Sequence, residues 1–248
     1  MSETPEPVTL HPETLQAFQD YVLKAEAEMD HTLQGGDFLW SDRVPKRAQQ
    51  IRKGKILAEF WSGEGPVRLP AALIHDWIAG AFAPGATMEG TLSRIQDYDN
   101  HENFYKPEVI ESKLISRQEN EFKIFLRVLK KKVISVVLDT DHDVFYVQLD
   151  GDRWHCRSYT TRVSEVEDAG KPSEKILLPD SGYGFLWRLN SYWRFQKREG
   201  GVFMECRAIS LTRNIPAGLG WIIEPIVRGL PRESLIATLE NTRRAVTA

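Results

Sequence analysis

The sequence lacks the features that mark membrane proteins, exported proteins and general nucleic-acid-binding proteins. No stretch approaches the roughly 18 consecutive apolar residues that a transmembrane helix needs. The first residues, MSETPEPVTL, have neither the basic start nor the apolar core of a signal peptide. The net charge of −3 lacks the basic excess that nucleic acid requires. As written, the chain is expected to be cytoplasmic, with no integral membrane segment and no nucleic-acid partner; a signal peptide removed before Met1 would instead make it exported.

Cysteine is scarce, and its two positions leave two interpretations open. Cys156 and Cys206 both fall within predicted strands. Buried free thiols that behave as small apolar side chains are the favoured interpretation. A cross-strand disulfide is the alternative if the protein is exported.

The chain also lacks the short motifs of common enzymes and metal sites. It contains no HExxH, CxxC, P-loop, GxSxG or dinucleotide-binding glycine signature. Asp139, Asp141 and Asp143 imitate the start of a calcium loop, but Val144 occupies the position that needs glycine. A solvated hairpin turn is therefore predicted at 141–143. We expect no metal and no cofactor.

What the chain does have is a long amphipathic helix near its C-terminal end. One face carries residues at the spacing i, i+4, i+7 and i+11, which are Leu235, Leu239, Thr242 and Val246. An apolar segment at 221–227 precedes this helix, and Gly229 and Pro231 separate the two. A helix with one buried side needs a large apolar surface, and residues 108–213 read mostly as β-strand.

Before that region, the sequence predicts four helices and one strand. A strand is predicted at 55–61, and helices are predicted at 13–33, 45–52, 70–82 and, capped by Thr87, at 88–95. From 108 to 213 we expect a run of about six antiparallel strands. The turns between them are placed at 119–120, 141–143, 151, 168–181 and 198–201.

The order of these elements resembles the helix-grip fold of the START-like superfamily, also called SRPBCC. That group includes lipid-transfer domains, polyketide cyclases and coenzyme Q-binding proteins. Short stretches carry the resemblance, in order: Arg52 with Gly54, Asp97-Tyr98-Asp99, Pro107-Glu108-Val109, Tyr192-Trp193-Arg194, Gly200-Gly201-Val202, Ile215-Pro216 and Leu230 to Leu235. The likeness covers about residues 50–247 and is greatest to bacterial members. It implies a fold and a cavity, but no defined substrate.

The expected fold class is α+β. A curved antiparallel sheet of about seven strands wraps on the long C-terminal helix, and two short helices follow the first strand. Residues 1–50 are predicted to form an N-terminal helical extension, and residues 51–248 to form the helix-grip domain.

Two predicted strands carry small, mildly polar residues on one face, where a solid core would have leucine or phenylalanine. The face from Val202 to Thr212 reads Val, Met, Cys, Ala, Ser, Thr, and the face from Trp154 to Thr160 reads Trp, Cys, Ser, Thr. If these faces point at the helix, they leave an apolar pocket with a few polar groups. If they point outward, the core is filled.

The favoured function is binding or transport of an apolar or amphipathic, lipid-like small molecule between sheet and helix. The candidate lining residues are Arg127, Trp154, Tyr159, Trp193, Cys206, Ser210, Trp221 and Ile226. Arg127 could anchor a ligand carboxylate through its planar donors, or it could be an outward, salt-bridged residue.

Two other functions remain open, and a non-enzymatic protein is favoured over an enzyme. A cyclase, aromatase or dehydratase would need His155 or His75 with Tyr146 or Tyr159 as an acid–base pair. An interaction protein would dock through the acidic helix at 13–33. The sequence predicts no oligomeric state.

Overall fold

A computed structural model describes residues 7–33, 37–61, 63, 65–131, 135–214 and 220–247. Side chains in the last range are described from Gly229 onward. The helices are α1 (Pro12–Leu33), α2 (Pro45–Arg52), α3 (Met88–Ile95), α4 (His101–Phe104) and α5 (Gly220–Thr247). The hydroxyl of Thr87 accepts the N–H of Gly90 at 3.0 Å, so it caps α3 as predicted.

The strands of the described ranges form one ten-stranded antiparallel sheet and one small two-stranded sheet. They are β1 (Val8–Thr9), β2 (Leu57–Phe60), β3 (Val67–Leu69), β4 (Ala72–Pro84), β5 (Val109–Gln118), β6 (Glu121–Lys131), β7 (Ser135–Gln148), β8 (Arg153–Glu167), β9 (Lys175–Ile176), β10 (Ser181–Gly182), β11 (Arg188–Arg198) and β12 (Gly201–Arg213). The long path of the large sheet runs β2-β4-β12-β11-β8-β7-β6-β5, with β3 beside β4 and β9 beside β8.

The helix predicted at 70–82 is wrong, because Ala72–Pro84 form strand β4. This strand lies between β2 and β12 and is buried along nearly its whole length. Both of its faces are covered, so its sequence is apolar without alternation, and such a run does not distinguish a buried strand from a buried helix. The sheet accordingly has ten strands rather than about seven. The short helices that follow the first strands are α3 and α4.

The turn predicted at 141–143 is also wrong. Strand β7 continues from Ser135 to Gln148 through all three residues, and the preceding strand β6 ends at Lys131. Asp139 is buried and pairs with Arg127 on the neighbouring strand. The three aspartates alternate with Thr140 and His142, which is strand periodicity rather than that of a turn.

Helix α5 lies across the concave face of the sheet and packs on β4, β12 and β2. Leu235, Leu239 and Thr242 are buried and Val246 packs at the edge of the same core, as the predicted stripe requires. The helix continues through Gly229 and Pro231 without the expected separation. The predicted α+β helix-grip architecture is therefore confirmed.

Helix α1 covers part of the opposite, outer face. Its residues Phe18, Val22, Ala25 and Met29 are buried in one cluster with apolar residues of β4, β11 and β12. The sheet is thus covered on both sides. A domain boundary at residue 50 stays a prediction.

Candidate ligand-binding cavity

A cavity of about 360 Å³ lies between the concave face of the sheet and the middle of α5, at residues 230–241. This volume is at the lower end of the range found for small-molecule sites. Strands β6, β7, β8, β11 and β12 form its floor, and α5 forms its roof. The space exists because side chains alternate across each strand and the inward set on two of these strands is small.

The small faces that the sequence singled out point inward. On β12 the cavity is lined by Cys206, Ala208, Ser210 and Thr212, and on β8 by Cys156 and Ser158. Val202 and Met204, earlier on β12, lie in the packed core beyond the cavity. Both cysteines are free and buried, and burial raises the pKa of each thiol well above its ordinary value. They act as small apolar groups.

Apolar side chains make up most of the remaining wall. They come from three strands, the loop before β11 and α5: Ile124, Leu126, Val128, Val136, Leu138, Val144, Phe185, Leu186, Leu189, Trp193, Phe195, Leu230, Pro231 and Leu235. Such a wall favours a ligand that is mostly hydrocarbon.

One part of the cavity wall is aromatic and carries phenol groups. The hydroxyls of Tyr98 and Tyr146 are hydrogen-bonded at 2.8 Å, and the hydroxyl of Tyr105 lies 3.0 Å from that of Thr242 on α5. Burial raises the pKa of all three tyrosines, that of Tyr105 to about 12, so the groups stay neutral. They offer hydrogen bonds without charge.

Two histidines also line the cavity, and neither was predicted to do so. Nε2 of His101 lies 3.0 Å from the carbonyl oxygen of Ile95, so it carries a proton and donates it. His142 lies between Thr140, at 2.9 Å from Nε2, and Ser158, at 3.3 Å from Nδ1. Burial lowers the pKa of both imidazoles to about 4, so both rings are neutral at pH 7. The sequence feature that could have placed His142 in the cavity wall is the alternation of inward and outward side chains along β7. The wrongly predicted turn at 141–143 interrupted that alternation.

Opposite charges also meet at the cavity wall. The ammonium group of Lys130 on β6 pairs with the carboxylate of Glu108, just before β5. Each is about a quarter exposed, so the pair lies where the cavity wall approaches solvent.

The eight predicted lining residues fall into four groups, of which the first three are as follows. Trp193, Cys206 and Ser210 line the cavity. Trp154 packs against the neighbouring core cluster. Trp221 and Ile226 have side chains outside the described part.

The two others, Arg127 and Tyr159, lie on the outer face. Arg127 donates to both carboxylate oxygens of Asp139, at 2.6 and 2.9 Å, and to Glu174 at 3.1 Å. Its pKa is raised, chiefly by the hydrogen bonds to Asp139. Tyr159 donates to Glu26 of α1 at 2.8 Å.

The sheet separates the candidate acid–base residues into one histidine and one tyrosine on each side: His155 and Tyr159 lie on the outer face, and His75 and Tyr146 lie on the concave side. His155 follows the outward alternation of β8, beside Arg157 and Arg194, whereas Tyr146 faces the cavity. His75 is buried with Nε2 3.0 Å from the hydroxyl of Thr212, on the side opposite Tyr159. Burial lowers the pKa of His75 to about 4.

Metal-binding clusters and membrane-spanning helices are both missing from the described residues. These residues contain no group of three or more His, Cys, Asp or Glu side chains placed to hold a metal ion. No helix in these ranges combines the length and apolar character needed to cross a membrane.

Solved structures with the same kind of fold resemble this chain. A Thermus thermophilus protein, TTHA0849, is 13% identical with a TM-score of 0.49, covering 68% of this chain and 94% of its own. A STAR-related lipid transfer protein from Xanthomonas axonopodis is 15% identical with a TM-score of 0.48, covering 74% of this chain and 98% of its own. The di-domain ARO/CYC protein StfQ from the steffimycin biosynthetic pathway is 12% identical with a TM-score of 0.44, covering 81% of this chain and 54% of its own.

At these identities and TM-scores, the likenesses do not say which molecule this chain binds. No protein-family model and no curated protein matches the sequence. The START-like helix-grip fold is seen in the chain's own sheet order and in the position of α5 across the concave face.

Proposed function

We propose that this protein binds an apolar or amphipathic small molecule in the cavity between the sheet and α5. The observation that carries the proposal is the inward direction of the small residues on β12, from Cys206 to Thr212. Large apolar residues at these positions would fill the space and add to the core's stability. Small ones leave about 360 Å³ with an apolar wall and a few neutral polar groups.

The size of the expected affinity follows from burial. A ligand that removes about 200 Å² of apolar surface from water gains roughly 5 kcal/mol, at about 25 cal/mol per Å². Part of that gain is lost because the ligand is immobilised. A gain of 5 kcal/mol corresponds to a dissociation constant of about 0.2 mM, so we expect a compact hydrocarbon probe to bind with a constant between about 0.2 and 1 mM. The neutral polar groups then orient the ligand.

Native mass spectrometry of gently purified protein, before and after organic extraction, is the first test. We expect an extra mass that leaves on extraction. The extracted protein is then titrated with pyrene, an uncharged probe whose emission reports the polarity of its surroundings. We expect saturable binding with an emission typical of an apolar site.

A matched pair of variants locates the binding. Ala208→Trp places an indole in the cavity and should abolish pyrene binding, because Ala208 lines the wall. Ala27→Trp places the same group on the exposed side of α1 and should leave binding unchanged. A protein with neither an extractable mass nor pyrene binding would contradict the proposal, as would equal binding by both variants.

A further inference from the structure

A chain of hydrogen bonds fixes the protonation of His142 at the cavity wall. The hydroxyl of Thr140 donates to the carbonyl oxygen of Leu126 at 3.0 Å, so its only proton is already used. Towards His142, 2.9 Å away, Thr140 can therefore only accept. Nε2 of His142 must carry the ring proton and donate it.

The other ring nitrogen is consequently an acceptor. His142 is 8% exposed and buried among cavity residues, and its pKa of about 4 keeps the ring neutral at pH 7. Nδ1 then holds a lone pair, and the hydroxyl of Ser158 lies 3.3 Å from it, which is long for a hydrogen bond from oxygen. Both Nδ1 and Ser158 retain capacity for a further partner.

We infer that Nδ1 of His142 and the hydroxyl of Ser158 form the polar subsite of the cavity, and that this subsite binds the hydroxyl group of an uncharged, otherwise apolar ligand, an alcohol or a phenol. This inference rests on the proposed function. A ligand hydroxyl can donate to Nδ1 and accept from Ser158 at the same time, so both protein groups are satisfied.

Other polar groups fit the same atoms less well. A carbonyl oxygen can accept from Ser158 but offers no proton to Nδ1, which then stays a buried acceptor without a donor. A carboxylate brings a full negative charge towards the lone pair of a neutral ring in an apolar wall, where burying charge is costly. The donor and acceptor pattern therefore selects for the hydroxyl.

The test uses three probes that share one ring system and differ in one group: 2-naphthol, 2-methylnaphthalene and 2-naphthoate. Binding to the extracted protein is measured by calorimetry at pH 7. We expect 2-naphthol to bind about three- to tenfold more tightly than 2-methylnaphthalene, as one net hydrogen bond allows. We expect 2-naphthoate to bind most weakly.

Three variants assign the preference to the subsite. Ser158→Ala and His142→Phe should remove the advantage of 2-naphthol while 2-methylnaphthalene still binds. Ser191→Ala is the matched control, because Ser191 lies directly opposite Ser158 on the neighbouring strand and also lines the cavity. It should retain the advantage.

The possible failures differ from one another. Equal binding of 2-naphthol and 2-methylnaphthalene to the wild-type protein would overturn the subsite and leave the proposed function standing. Binding of none of the three probes would overturn both.

Nitrogen-15 NMR of the histidines in the wild-type protein gives a check that needs no variant to fold. We expect a protonated Nε2 and an unprotonated Nδ1 for His142. The opposite tautomer would overturn the inference.

Discussion

The two faces of the large sheet are built in opposite ways, although the same strand contributes to both. On β12, Cys206, Ala208 and Ser210 point to the concave side and leave space. Glu205 and Arg207, which alternate with these residues, point to the outer side and are buried under α1 and the segment that follows it. One strand therefore supports a cavity on one side and a filled polar interface on the other. A side chain that is shielded from solvent can lie either beside empty space or in close contact with other side chains.

The outer interface depends on paired charges. Glu205 accepts the backbone N–H groups of Trp40 and Ser41 at 2.6 and 2.8 Å. Arg207 donates twice to Asp76 on β4, at 2.9 and 2.7 Å, and Tyr21 of α1 donates to the same carboxylate at 2.7 Å. These bonds connect the sheet to the N-terminal segment more specifically than apolar contact alone.

The largest expected effect comes from breaking this network. Asp76→Ala leaves the guanidinium of Arg207 buried and without its main partner, which should lower the free energy of unfolding by about 3–5 kcal/mol. Urea unfolding followed by circular dichroism measures the change. The control is Lys123→Ala, which breaks an exposed pair with Asp143 on the same face and should cost less than about 1 kcal/mol. Similar losses in the two variants would contradict the comparison.

A smaller effect should come from adding bulk to each face. Ala72 on β4 is fully buried in the outer cluster, whereas Ala208 on β12 borders the cavity. Ala72→Leu overpacks a filled region and should lower the free energy of unfolding by about 1–3 kcal/mol. Ala208→Leu extends into empty space and should change it by less than about 1 kcal/mol. Equal costs, measured in the same urea series, would mean that the cavity is not open in solution.

The smallest effect is a change in pH dependence. Burial lowers the pKa of His142 from 6.5 to about 4, so the unfolded chain binds a proton that the folded ring does not. Its contribution to stability is complete above pH 6.5 and is lost as the pH falls towards 4. The variant His142→Phe has no titratable group at this position. Its unfolding free energy should therefore fall less steeply between pH 6.5 and 4 than that of the wild-type protein, with a difference in slope of at most about 1.4 kcal/mol per pH unit.

The control for this measurement is Val144→Ala, a neighbouring cavity residue without a titratable group. It should lower stability by a similar amount at every pH in the range. A slope that is unchanged in His142→Phe would show that the ring is already protonated, or solvated, in the folded protein.

Regular periodicity explains what the sequence predicted well. The stripes of α1 and α5, the hairpin between β11 and β12 and the small inward face of β12 all follow from local spacing. Strand β4 reads as a helix because both of its sides are covered, which removes the alternation that identifies a strand. What covers its outer side is α1, about sixty residues earlier in the chain, so no local pattern could reveal it.

The functional residues were harder to place because their partners lie on other strands. Arg127 is a plausible ligand anchor by sequence, but the structure pairs it with Asp139, twelve residues away, across β6 and β7. The same misplaced turn hid His142. Sequence reasoning found the wall of the cavity through residue size, but it could not find the polar subsite, which depends on register between neighbouring strands.

A single extra residue in β8 shifts the pairing register between β7 and β8. His142 pairs with Thr160 and Asp141 pairs with Arg162, so Thr161 has no partner on β7. Before it, even-numbered residues of β8 such as Ser158 face the cavity; after it, Val163 and Glu165 share a face with Thr140 and Leu138. After the extra residue, odd-numbered rather than even-numbered side chains of β8 therefore face the concave side. Because of this change, Glu165 accepts hydrogen bonds from the backbone N–H groups of Tyr183, Gly184 and Phe185. Removing one residue at this point would turn that carboxylate to the other side of the sheet and release the loop that closes one end of the cavity.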